Sequence, residues 1–195
     1  MLLTEAYRGK ASAGEVAARA ERLVADGRAL REDNGFPGFV VPVRILIECD
    51  SEEAIVWLDR GLVRARQEGD VKALIANLMF SCQALLRRGE PADAVLDGTE
   101  AIKANERWGG ELSIPSQAGL LSGAQIEAGD LDGAERTLAP LDRQIPDMIG
   151  QHAFTFMISR AMLLLARGDP RGSSGPRMAA ELAPVRSRRL VEPRG

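Results

Sequence analysis

Aromatic residues make up only 4% of this chain, histidine occurs once and cysteine twice. Each scarcity excludes something. With so few rings, the core has to be aliphatic, and the dominance of alanine, leucine, glutamate and arginine is that of helix packed on helix. Cys49 and Cys82 lie far apart in apolar helical contexts, so they form neither a disulfide framework nor a metal-type pair, and they read as small core residues in a reducing compartment. A zinc site built on His152 and two distant cysteines would have to rely on carboxylates, and no metal is expected. No apolar run approaches the roughly 20 residues that span a bilayer. The start, Met1-Leu2-Leu3-Thr4-Glu5, lacks the basic region of a secretory leader. These absences predict a cytoplasmic protein without a membrane partner. No window alternates β-branched and polar residues as a strand would, so the predicted fold class is all-α.

The formal net charge of −3 conceals an asymmetry. Residues 171–195 carry six arginines (Arg171, Arg177, Arg186, Arg188, Arg189 and Arg194) against Glu181 and Glu192, a balance of +4, which leaves −7 on the preceding residues. An acidic body offers no electrostatic attraction for nucleic acid.

What the chain does have is a punctuation recurring about every 40 residues. Gly89-Glu90, Gly129-Asp130 and Gly168-Asp169 each close one apolar run and open the next, and Cys49-Asp50 holds the equivalent place without the glycine. Shortly after three of these breaks stand Ala54, Ala94 and Ala134, spaced by 40 and 40. Self-similarity at this period marks stacked helical hairpins, each too small to bury its own apolar face.

The helices can be read individually. Residues 12–27 form the first, with Ser12 as N-cap, Glu15 three places on and Gly27 past the end. Residues 28–38 read as looser, and 39–49 as a buried helix with Pro42 in its first turn. Asp50-Ser51-Glu52-Glu53 signals the next N-terminus, followed by Ile55, Leu58, Leu62 and Ala65 on one face. Val71 to Arg87 carries Ile75, Leu78, Cys82 and Leu86 in register, and Pro91 opens the helix that ends near Trp108. Residues 115–128 and 131–144 make a further pair, and 151–167 a last helix through Phe154, Met157, Ile158, Ala161 and Leu165. Alanine at 54, 94 and 134 suits a close crossing of paired helices, where a larger side chain would overpack at about 1–3 kcal/mol. The segments at 50–69, 91–107 and 131–144 are expected to lie side by side.

Beyond Gly168-Asp169-Pro170 the pattern breaks. Ser174 stands where a fourth alanine is due, within Arg171-Gly172-Ser173-Ser174-Gly175-Pro176. The predicted division is a helical-repeat domain over 1–170 and a basic, disordered tail over 171–195, with at most a short helix at 177–183.

The series Arg87-Arg88-Gly89-Glu90, Ala94, Trp108-Gly109, Glu127-Ala128-Gly129-Asp130-Leu131, Ala134-Glu135 and Ala166-Arg167-Gly168-Asp169-Pro170 resembles the tetratricopeptide-like region of large ATP-binding LuxR-family transcriptional regulators. Those are similar to signal-transduction ATPases with numerous domains. The resemblance implies a nucleotide-binding module before such an array and a helix-turn-helix after it. Neither is legible here. The single Gly-Lys, Gly9-Lys10, is followed by Ala11, and Thr4 stands where a phosphate loop needs its first glycine. The last 25 residues are too rich in proline for a helix-turn-helix. No nucleotide or other cofactor is therefore expected, and the change after Pro170 reads as that of a truncated regulator.

Candidate chemistry is sparse. His152 has no serine or cysteine nearby in a nucleophile context. Glu52-Glu53 and Asp130/Asp132 sit in first helical turns, where carboxylates serve capping. Trp57 falls near the apolar face of its helix and reads as core, whereas Trp108, before Gly109-Gly110, could equally anchor a ligand. No catalytic residue is assigned. The expected architecture is a right-handed stack of about four antiparallel hairpins, acting as a non-catalytic scaffold. A protein or small effector is expected on a concave face built from the first helix of each hairpin, with self-association at the incomplete last hairpin. The alternatives are nucleic-acid binding through the tail and an enzyme with an unrecognised site between helices.

Overall fold

A computed structural model describes residues 11–110, 114–142 and 150–169, with backbone only for 150–153. The regular structure of the described residues is all helical, with no strand. Their helices are α1 (Ala13–Val24), α2 (Arg28–Asp33), α3 (Pro37–Glu48), α4 (Glu53–Glu68), α5 (Val71–Arg87), α6 (Pro91–Trp108), α7 (Ile114–Glu127), α8 (Leu131–Leu138) and α9 (Gly150–Ala166).

Local chemistry accounts for most boundaries. Ser12 and Glu15 form a reciprocal capping box at the start of α1. Asp70 caps α5 through Ala73 N and Asp130 caps α8 through Gly133 N, at 3.0 and 2.8 Å. Five helix ends share one hydrogen-bond pattern, among them that of α6, through Gly109 N to Glu106 O and Gly110 N to Asn105 O. At the ends of α5, α7 and α9, Gly89, Gly129 and Gly168 take left-handed φ values of 77°, 81° and 75°. Each donates to a carbonyl three residues back, while the next residue donates five back. The end of α3 is built the same way, through Asp50 N to Ile47 O and Ser51 N to Leu46 O. There Asp50 itself takes φ 53°, the one left-handed position among the described residues not held by glycine.

Several expectations require correction. Residues 28–33 are helical rather than loose, with the Arg28 amide bonded to Asp26 Oδ1 at 2.8 Å. Pro37 opens α3, and Pro42 lies inside it, buried. Asp50-Ser51-Glu52 supplies no side-chain cap to α4; Asp50 is occupied by the left-handed turn and by Arg87. It is also Asp50, not Cys49, that stands in the glycine's place. α8 ends at Leu138 and tightens into a 3₁₀ turn over 139–142, shorter than the expected 131–144. On α9 the buried residues are Phe156, Ser159 and Leu163, while Phe154, Ile158 and Leu165 point outward. The tail at 171–195, its short helix at 177–183 and Ser174 lie outside the described residues.

Packing follows chain order. α4 to α6 and α7 to α8 are joined by turns of a few residues, and each of these helices folds back on its predecessor. Beyond these sequential pairs, each odd-numbered helix packs directly on the next odd one: α1 on α3, α3 on α5, α5 on α7, and α7 on α9. The segments expected side by side, α4, α6 and α8, show no comparable lateral packing; α4 and α6 meet through Arg66 and Glu100 at 3.2 Å and through Leu62, Leu78 and Ala101. Ala54, Ala94 and Ala134 are buried, at 2%, 0% and 0% exposure, as close crossings require. Gly119 permits a close approach of α9: a side chain there would stand 3.0 Å from the Thr155 backbone, and its carbonyl accepts from Ser159 Oγ at 2.7 Å.

Candidate functional site

α3 and α5 leave accessible stripes beside one another. Pro37, Val41, Arg44 and Glu48 follow the helical repeat on α3, and Lys72, Met79, Gln83 and Arg87 do so on α5. Gln83 Nε2 donates to Glu48 Oε1 at 3.2 Å, joining the two stripes.

Both stripes end at a cleft of about 330 Å³. Its floor is apolar, from Ile47, Ala54, Ile55 and Ala84, and its rim is charged, from Asp50, Glu52, Arg87, Arg88 and Glu90 with Ser51. Arg87 comes from the last turn of α5, where a cation suits the helix dipole. Its Nε and Nη2 both donate to Asp50 Oδ1, at 3.0 and 2.7 Å, and Nη1 lies 3.8 Å from Glu48 Oε2. Arg88 bridges the other way, from Nη1 to Glu52 at 2.7 Å and from Nε to Glu90 at 3.0 Å. Four carboxylates thus surround two guanidinium groups, and the rim keeps an excess of negative charge. All of these groups are a third or more exposed, so each pair contributes less than about 1 kcal/mol and mainly sets the rim's shape.

Neither cysteine lines the cleft. Burial pushes the Cys49 thiol up, with Asp50 and Glu48 adding to the effect. Burial pushes Cys82 up to about 12. Both cysteines are free thiols held in the neutral form at physiological pH.

The other residues singled out from sequence have structural surroundings. Trp57 is buried, meets Phe39 edge to face at 6.5 Å, and carries the Arg60 guanidinium 4.7 Å above its ring. Trp108 is 42% exposed and holds Lys72 Nζ 5.0 Å over its ring, tying the end of α6 to the start of α5. Glu52 belongs to the cleft rim and Glu53 opens α4. Asp130 caps α8, and Asp132 pairs with Arg167 at 2.9 Å. The backbone of His152 lies in α9, and its side chain is outside the described residues. Among the described residues, no three His, Cys, Asp or Glu side chains gather as a metal site would need. None of their helices is long and apolar enough to cross a membrane.

Two features escape a reading of the sequence. One is the Asp50–Arg87 contact, whose signal is visible as the missing glycine at the first break. The other is a buried polar cluster: Asn77 Nδ2 donates to Asn34 Oδ1 at 2.9 Å and to Ala73 O at 2.8 Å, and Asn34 Nδ2 donates to Gly61 O at 3.0 Å. Nothing in a helical period announces it. Comparison with protein-family models, with curated proteins and with solved structures returns no match to this chain.

Proposed function

We propose that the chain is a non-catalytic, tetratricopeptide-like scaffold that recognises a protein or a small effector on the layer formed by α3, α5, α7 and α9. The observation that carries this reading is the direct packing of each odd helix on the next odd one, against looser contact among even helices. A layer drawn together on one side and spread on the other curves toward the tighter side. The odd helices then form the concave surface, the usual binding face of helical repeats. The shared helix end at Asp50, Gly89, Gly129 and Gly168 supports the repeat. So do the three buried alanines.

The occupant would lie along the α3 and α5 stripes and reach the cleft at Asp50 and Arg87. The cleft favours a ligand that combines an apolar body with a positive charge, because its floor is aliphatic and its rim is carboxylate-rich. Within a regulator of the LuxR type, such contact would bias a neighbouring module; this wider role rests on the repeat residues alone.

The test is a thermal-shift screen of charged small molecules and of short basic and acidic peptides, run on the wild type, Met79→Asp and Glu48→Ala. A hit that raises the melting temperature of the wild type and loses most of that shift in both variants supports the reading. Ligands whose effect ignores both substitutions, or turnover of any of them, would overturn it.

A further inference from the structure

α9 has two apolar faces and fills only one of them. Phe156 and Leu163 are fully buried toward α7 and α8. On the opposite side Phe154, Ile158 and Leu165 are 63%, 43% and 57% exposed. Together with the half-buried Ala161 they fall within about 60° of arc at 3.6 residues per turn. Met157, Met162 and Leu164 flank this stripe. No charged residue interrupts it. Arg160 and Arg167 turn to the α8 side, where Arg160 pairs with Glu135 and Asp142 and Arg167 with Asp132 and Glu135. Among the described residues, no other helix sets three large exposed apolar side chains on one face.

We infer that this face is a self-docking surface, on which two copies of the chain pack α9 against α9, antiparallel, about a two-fold axis. The spacing carries the choice of occupant. Positions 154, 158, 161 and 165 read the same in both directions, so a two-fold axis between 159 and 160 sets Phe154 against Leu165 and Ile158 against Ala161 of the second copy. Large side chains then meet medium or small ones, the condition for interdigitation. The stripe and its flanks, about seven residues a side, are well below the 20–30 of a stable interface. The dimer is therefore weak and concentration-dependent.

The experiment is sedimentation equilibrium of the full chain at physiological salt, where repulsion between the acidic bodies is screened beyond about 8 Å, over a series reaching millimolar protein. A reversible monomer–dimer equilibrium is expected. Ile158→Glu and Ala161→Lys should each weaken it more than tenfold with the helical circular dichroism retained. Mixing those two variants should restore a heterodimer, because the carboxylate introduced at position 158 of one then faces the ammonium group introduced at position 161 of the other. Leu23→Glu, on α1, should change nothing. A monomer at every concentration overturns the proposal, whatever covers the stripe, and so does a dimer that ignores both α9 substitutions. Failure of the mixture to restore association overturns the two-fold register.

Discussion

The carboxylate of Asp50 and the guanidinium of Arg87 meet at 2.7 Å across the ends of α3 and α5. Asp50 makes that contact from a left-handed backbone position, which the other helices ending in this way give to glycine. Such a conformation costs an ordinary residue about 1–2 kcal/mol, less for aspartate. An exposed ion pair returns less than about 1 kcal/mol. Aspartate thus stands at a position where stability alone favours glycine, and its side chain lines the cleft.

Replacing Asp50 by glycine should therefore leave the protein as stable as the wild type, or more so by up to about 1 kcal/mol. Asp50→Val should lose more than about 1 kcal/mol, since a β-branched residue is a genuine outlier there. Urea denaturation of the three proteins checks this. A glycine variant clearly less stable than the wild type would show that the ion pair, not the backbone, dominates.

Gly61 packs against the amide of Asn77, and an added Cβ would collide with Asn77 Oδ1. Gly61→Ala should cost about 1–3 kcal/mol through overpacking. The penalty should shrink when Asn77 is also made alanine, because the obstructing amide is gone. A double-mutant cycle by denaturant titration reads the coupling, and strict additivity would mean that the two residues do not oppose one another.

Asp97 is half-buried on α6, and burial raises its pKa above the ordinary carboxylate value, partly offset by a hydrogen bond with Ser81. With the folded pKa raised, the folded state binds the proton more tightly than the unfolded chain does. The contribution to stability is present below the unfolded pKa of about 3.9 and is lost as pH rises through the folded value. Asp97→Asn should then be more stable than the wild type at pH 7, with the difference fading toward pH 4. Urea midpoints across that range test it, and an asparagine variant less stable at pH 7 would reverse the sign.

The two thiols should behave differently. Cys82 is fully buried, with its pKa pushed up to about 12, whereas Cys49 is only partly buried. A chromogenic disulfide reagent at pH 8 should modify Cys49 slowly in the native protein and Cys82 only after denaturant is added. Fast reaction of both without denaturant would place Cys82 at the surface.

How much of this was legible follows from which forces are local. Caps and helix ends depend on a few adjacent residues, so Ser12/Glu15, Pro91 and Gly89 could be read directly. The alanines at 54, 94 and 134 announced their burial by spacing. The face of α9 could not be read that way, because apolar residues run around most of the helix and period alone cannot choose a side. Gly119 decides it, by letting the Thr155 backbone close in and offering a carbonyl to Ser159. Pro42 misleads for a similar reason: a first-turn preference attaches to the wrong proline, when Pro37 already holds that position. The cleft depends on residues 37 apart in sequence, Asp50 and Arg87. Only the missing glycine hinted at it.

The curvature of the layer is the claim on which the binding surface depends, and distances between spin labels measure it most directly. In a chain with Cys49 and Cys82 replaced by alanine, nitroxides would be placed at Glu48 and Gln83 on α3 and α5, and in a second protein at Val63 and Leu96 on α4 and α6. The account predicts strong dipolar coupling for the first pair and a clearly longer separation for the second. An outer pair as close as the inner one, or closer, would mean that the odd helices do not line a concave face.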